Sequence, residues 1–251
     1  PTGTSASTRW VAPLVERRRS SGLRGRDPAA CIGRCPRILF SMLADLLATD
    51  GVLEHCELRS TFGFMALHGG LEATTFEIAR ECARQTDASL YAVVQPDHLT
   101  WHVPSHRFDP AESDALAQFC RHVDVAISIH GYGGIRDHPN RWLTIAVGGG
   151  GREAARTVGG VLREHLADYE VIDDMEEIPR QYRGLHERNP VNLVRSAGVQ
   201  IELPPRVRGT SPIWAEHDFE ADPMVPHTRS LVGALVEAAG LLDLPDTDRF
   251  P

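Results

Sequence analysis

Residues of the types that hold and serve zinc follow three short apolar runs. Phe64-Met65-Ala66-Leu67 leads into His68, with Glu72 four residues on. Val125-Ala126-Ile127-Ser128-Ile129 leads into His130, and Gly198-Val199-Gln200-Ile201 leads into Glu202. Zinc in hydrolases commonly takes three ligands from His and Glu and keeps a fourth position for water, whose pKa it lowers towards ~7. A carboxylate outside the ligand set then takes that water's proton and passes it to the leaving amine. The pattern therefore reads as one zinc per chain on His68, Glu72 and His130, with Glu202 as the base.

These residues meet only if the runs are neighbouring strands. Short, β-branched runs followed by Gly or Pro read as buried strands of a parallel sheet. Ligands of open α/β sheets sit beyond the carboxyl ends of the strands. Around the three runs, strand and helix patterns alternate. A helical face of Phe40, Leu43, Leu46 and Leu47 precedes strands at Val52–Leu58 and Phe62–Leu67. Thr74-Thr75-Phe76-Glu77 has the form of a capping box opening a helix. That gives Glu77 a structural role and leaves Glu72, before the cap, as the ligand. Further strands are expected at Ser89–Val94, Leu143–Val147 and Tyr169–Ile172. Helices are expected at Pro110–Arg121, Glu153–Leu166, Val191–Ser196 and Ser230–Leu242. The alternation predicts an α/β fold, a three-layer α/β/α sandwich with a largely parallel central sheet.

The chain of 251 residues suits one sizeable core. Residues 1–37, rich in Arg, Ser, Gly and Pro, read as a disordered arm, and residues 38–251 as the zinc-dependent hydrolase domain. The net charge of −8 disfavours broad nucleic-acid binding. No apolar stretch approaches the ~20 residues of a membrane span. The five cysteines form no paired CxxC framework, and their odd number points to reduced thiols and a cytoplasmic setting.

Each site residue also has a plain structural reading. A single histidine after a strand is more often a hydrogen-bonded structural residue, and Glu202 suits the polar face of an edge strand. Repetition at three strand ends, with glycine beside two of them, favours the metal. Gly148 to Gly151 follow a strand and open a helix, yet no Lys-Ser/Thr follows, so the run reads as a tight turn rather than a phosphate loop. His98, His102 and His106 recur every four residues, but Pro96, Pro104 and Pro110 argue against a helix there. They read as a loop at the cleft rim.

The stretch Ala66-Leu67-His68-Gly69-Gly70-Leu71-Glu72-Ala73-Thr74-Thr75 resembles phage-type poly-γ-glutamate hydrolases. So do Ser128-Ile129-His130-Gly131-Tyr132 and Gly198-Val199-Gln200-Ile201-Glu202-Leu203-Pro204. The loop His102–Asp109 and the segment Arg188–Asn192 extend the likeness. The resemblance implies a zinc-peptidase-like fold, the same three ligands and base, and hydrolysis of γ-glutamyl amide bonds in an anionic polymer or oligomer. Its last two segments imply His106, Arg188, Asn189 and Asn192 at the substrate. Arginine forks grip carboxylates bidentately, so Arg183, Arg188, Arg206 and Arg208, which flank the Glu202 run, are of the type to hold such a polymer. Arg188 and Arg208 are the foremost of them. Deacylation of N-acyl-glutamate and non-catalytic binding of glutamate-like ligands are the rival readings.

Overall fold

The computed structural model describes residues 42–135, 138–196 and 198–242. The sequence arm at residues 1–37, with Cys31 and Cys35, lies outside them, as does Phe40. Strands β1 (Leu53–Glu57), β2 (Phe62–Gly69), β3 (Ser89–Val94), β4 (Val125–Gly131), β5 (Thr144–Gly148), β6 (Glu170–Ile172) and β7 (Val199–Leu203) form one sheet. Its order is β1-β3-β2-β4-β7-β5-β6. Strands β3, β2, β4 and β7 are mutually parallel, whereas β1 runs antiparallel to β3, and β5 antiparallel to β7. The expected parallel sheet is thus its centre, flanked by reversed edges.

Helices α2 (Thr75–Thr86), α4 (Arg152–His165) and α5 (Pro226–Leu242) cover one face, and α1 (Met42–Leu47) and α3 (Asp114–His122) part of the other. The division follows the two-residue strand period. Phe62, Phe64 and Ala66 of β2 join the core under α2, α4 and α5, while Met65 and Leu67 join the core under α1 and α3. Both faces of the central strands are buried, which is why they read as nearly unbroken apolar runs.

Several expected boundaries move for local reasons. The helix expected from Pro110 is a 3-10 turn at Pro110–Glu112 followed by α3. Between them Ser113 is extended, and its hydroxyl accepts from Leu116 N at 3.0 Å as the true N-cap. The helix expected over 191–196 is a 3-10 turn at Pro190–Asn192. Helix α5 starts four residues early, at Pro226, because a missing N–H costs nothing in the first turn.

The capping box does not form. Thr74 precedes α2 with φ 75°, in the left-handed region, and its side chain makes no cap bond. Thr75 instead donates its hydroxyl to Glu72 O at 2.7 Å, closing the loop that carries Glu72.

Candidate metal centre

Strands β2, β4 and β7 are adjacent and parallel, so their carboxyl ends share one edge of the sheet. His130 and Glu202 stand opposite each other in register, as do Ser128 and Gln200 one pleat earlier. All four are buried. Because β7 lies between β4 and β5, the edge-strand reading of Glu202 does not hold.

His68 needs a further device. By strict alternation it would follow Phe64 and Ala66 onto the face covered by α2. Between Ala66 and Gly69, however, β2 carries one residue more than β3, since Ala66 pairs with Ala92 and Gly69 with Val94. Such a bulge re-aims a side chain. His68 accordingly packs against Phe108, His102 and His130, with ring centroids at 5.6, 4.7 and 5.1 Å. Gly70 follows with φ 77°, and a Cβ there would stand 2.0 Å from Gln95 O, so only glycine fits this turn.

Glu72 lies between the two histidines. His68 Nδ1 is 3.0 Å from its Oε1, and His130 Nδ1 is 3.5 Å from its Oε2. Gly131 N also donates to Oε2 at 2.9 Å. The other ring nitrogens are anchored: His68 Nε2 donates to Val103 O at 2.8 Å, and His130 Nε2 pairs with Ser128 Oγ at 2.9 Å. A carbonyl only accepts, so His68 Nε2 carries a proton and neutral His68 turns a bare Nδ1 lone pair towards a carboxylate. Only a cation, a proton or a metal, reconciles those two acceptors. Anchoring of the second ring nitrogen by a carbonyl or hydroxyl is how proteins orient metal-binding histidines. His68 and His130 thus approach opposite oxygens of one carboxylate, a His/Glu donor set of the type that zinc takes.

The electrostatics agree with a site for positive charge. Burial alone would lower the pKa of His68, but Glu72 raises it overall. Burial pushes Glu72 upward, yet His68 and His130 hold it well below the ordinary carboxylate range. Glu202 is raised well above that range, by burial first and then by the charge of Glu72. Gln200 Nε2, donating to its Oε1 at 2.8 Å, opposes that shift.

His102, read from sequence as a rim residue, comes closer than that. His68, Glu72 and His102 each offer a ligand atom within 4.8 Å of the others. The 98–106 stretch is non-helical, as its prolines require, with a 3-10 turn at Ser105–Arg107. His106 stacks on His186 with centroids 4.5 Å apart, joining this loop to the one before β7. Arg188 is exposed on that second loop, and its backbone N donates to His186 Nδ1 at 3.1 Å.

Other residues expected at the substrate have internal partners. Arg208 is buried, and its guanidinium donates to Leu203 O at 3.1 Å, Ala73 O at 2.7 Å and Tyr132 O at 3.2 Å. It lies flat on Gly131, where a Cβ would meet its Cζ at 2.6 Å. It therefore binds the ends of β4 and β7 to the Glu72 loop. Arg183 donates to Ile178 O, and Arg206 reaches Asp168. Asn192 spends its amide on Gly184 O, His186 O and Gly150 N. Asn189 is buried, with Nδ2 on Gln200 Oε1 at 2.7 Å. Of the four arginines, Arg188 alone stands exposed beside the histidine pair.

The glycine run is a turn. The N–H groups of Gly149, Gly150 and Gly151 donate to Arg183 O, Asn192 Oδ1 and Gly198 O, which leaves them none for a phosphate. Sequence reasoning passed over Ser128 and Gln200. Both lie two residues before a site residue, on its face of the strand, and a polar residue at that position inside an apolar run was the available signal.

An open α/β sheet with polar side chains gathered at its strand ends has the architecture of an enzyme. The family described as poly-gamma-glutamate hydrolase matches residues 44–213, and the chain belongs to it. A bacteriophage poly-γ-glutamate hydrolase structure superposes with TM-score 0.61 at 18% identity, covering 79% of this chain and 93% of that one. A zinc-free apo structure of a protein described as YNDL gives 0.59 at 22% identity, covering 76% and 89%. Comparison with curated proteins finds no match. Among the described residues no helix is long and apolar enough to cross a membrane.

Proposed function

We propose that the chain hydrolyses γ-glutamyl amide bonds in poly-γ-glutamate or γ-glutamyl oligomers, with one zinc on His68, Glu72 and His130 and with Glu202 as the base. The observation that carries this reading is the convergence of two anchored imidazoles on one carboxylate, at 3.0 and 3.5 Å. When bound, zinc supplies a Lewis acid for the scissile carbonyl and a more acidic water. Glu202 takes a proton at Oε2, its Oε1 being held by Gln200, and returns it to the leaving amine. Arg208 fixes the two strand ends that carry His130 and Glu202. Arg188, with His106 and His186, forms a rim able to receive free glutamyl carboxylates despite the net charge of −8, because exposed charges are screened beyond ~8 Å.

The proximity of His102 favours a second assignment, in which it replaces His130 as the third ligand. Zinc titration of His130→Ala and His102→Ala separates the two, since the true ligand's loss abolishes stoichiometric binding. The activity itself is tested on poly-γ-glutamate, an α-linked glutamate oligomer and an N-acyl-glutamate, with and without chelator. Chelator-sensitive cleavage of the γ-linked polymer is expected. Cleavage of the acyl amino acid alone would make the chain a deacylase, and binding without turnover of any of the three would make it a receptor. Arg188→Ala should raise KM for the polymer several-fold with kcat unchanged; an unchanged KM removes the rim from substrate recognition.

A further inference from the structure

We propose that Gln200 and Asn189 are positioning residues, a one-way chain of buried amides that fixes Glu202 from the loop carrying Arg188. This rests on the reading of Glu202 as the base. Gln200 is 4% and Asn189 3% exposed. Gln200 Nε2 donates to Glu202 Oε1 at 2.8 Å, and Gln200 Oε1 accepts from Asn189 Nδ2 at 2.7 Å. Asn189 Nδ2 also reaches Gly184 O at 3.5 Å.

The direction of the chain is set at its far end. An amide can usually be turned over with its O and N exchanged. Here Gly184 O only accepts, so Asn189 presents its NH2 to Gly184 and Gln200. Gln200 must then turn its oxygen to Asn189 and its NH2 to Glu202. Gly184, at φ 65°, lies close against that side chain, since a Cβ there would stand 2.8 Å from Gln200 Cβ and 2.9 Å from its Oε1. A packing residue would not need this polarity. The paired residue on β4 has the same division of labour, since Ser128 serves His130 rather than Gln200. Each strand thus supports its site residue from two positions earlier. Asn189 directly follows Arg188, so the short loop that offers the exposed arginine also orients the base, leaving Oε2 to carry the proton.

The test uses zinc-loaded full chain acting on poly-γ-glutamate, with Gln200→Met, Asn189→Asp and the double variant. Methionine keeps length and volume but gives Glu202 no N–H. Aspartate faces Gln200 with an acceptor and turns its amide over, so the carbonyl meets Glu202. Each single variant should lower kcat ~10-fold with KM and zinc content unchanged, the scale for partners that orient site residues. The double variant should be no worse than the poorer single, since both break one chain. In zinc-free protein, a side-chain NH2 pair absent from Gln200→Met should be protected from hydrogen exchange, and Asn189→Asp should move that signal while keeping it protected, because the turned amide then donates to the aspartate. Unchanged kcat in Gln200→Met, losses that add and follow thermal stability, or an unprotected amide would each overturn the proposal. If Gln200→Met does not fold, Asn189→Asp and the amide signal decide. Full turnover in Glu202→Gln would instead sink the reading of the base, while amide protection would still report the Gln200 contact.

Discussion

The two faces of β4 and β7 divide stability from chemistry. On one face Ile127, Ile129, Val199, Ile201 and Leu203 are buried in the core formed with α2, α4 and α5. On the other, Ser128, His130, Gln200 and Glu202 occupy the alternate positions, equally buried. The apolar face stabilises the fold by removing area from water, at about 25 cal/mol per Å². The polar face costs free energy wherever a group lacks a partner. Its groups are accordingly paired: Ser128 with His130, Gln200 with Glu202 and Asn189. The sheet teaches that a strand can carry a core and a reactive site together, provided the site lies on the other side of the pleat and its side chains have polar partners there.

Substitutions on the two faces should therefore fail in different ways. The largest loss is expected for His68→Ala, which should release zinc and abolish turnover while the protein stays folded, because losing one of three ligands forfeits most of the affinity. Metal content after dialysis, beside circular dichroism, reads this; full zinc occupancy would mean the ligands are misassigned. Next comes Glu202→Gln, expected to retain zinc and lose at least ~100-fold in kcat. Zinc loss in that variant would make Glu202 a ligand rather than a base.

One residue away, Ile201→Ala should do the opposite. Its side chain is fully buried in the apolar core, so truncation should cost about 2–5 kcal/mol in urea unfolding. Stoichiometric zinc and near-normal kcat are expected below the transition. A catalytic loss without a stability loss would break the division between faces.

A smaller effect concerns pH. In zinc-free protein, burial and then the Glu72 charge hold the pKa of Glu202 well above its ordinary value. A raised folded-state pKa contributes stability that is intact below the unfolded value of ~4.3 and is lost as pH rises through the folded one. Zinc-free wild type should thus lose stability relative to Glu202→Gln as pH increases, since the amide cannot ionise. Urea midpoints at pH 5 and pH 8 check the sign, and a gap that fails to widen refutes it. The smallest effect is expected at Thr74, whose left-handed φ of 75° is strained for a β-branched residue. Thr74→Gly should gain about 1 kcal/mol, read by the same unfolding curves.

Much of this arrangement was legible in the chain. Unbroken apolar runs marked the central strands, and β3 begins and ends where its residues predicted. The convergence of His68, Glu72, His130 and Glu202 followed from three runs being parallel neighbours. The capping box was misleading, because Thr-x-x-Glu is a local signal and here tertiary closure placed Thr74 in the left-handed region. The arginines were legible as a group but not individually. Their side chains span several ångströms, and only the packed structure assigns Arg208 to three carbonyls and leaves Arg188 exposed.

By itself the sequence determined which residues are apolar at which period, and hence the central strands, their flanking helices and the polar residues that end them. These are properties of neighbours along the chain, fixed by side-chain chemistry and backbone geometry. The tertiary structure alone decided the phase of His68, which a bulge in β2 turns across the sheet. It alone made β7 a central strand by adding β5 on its far side, and brought Asn189 to Gln200. Such contacts join residues of different elements or depend on one unpaired residue in a ladder. Their free energy arises only when the layers close, so no local pattern records it.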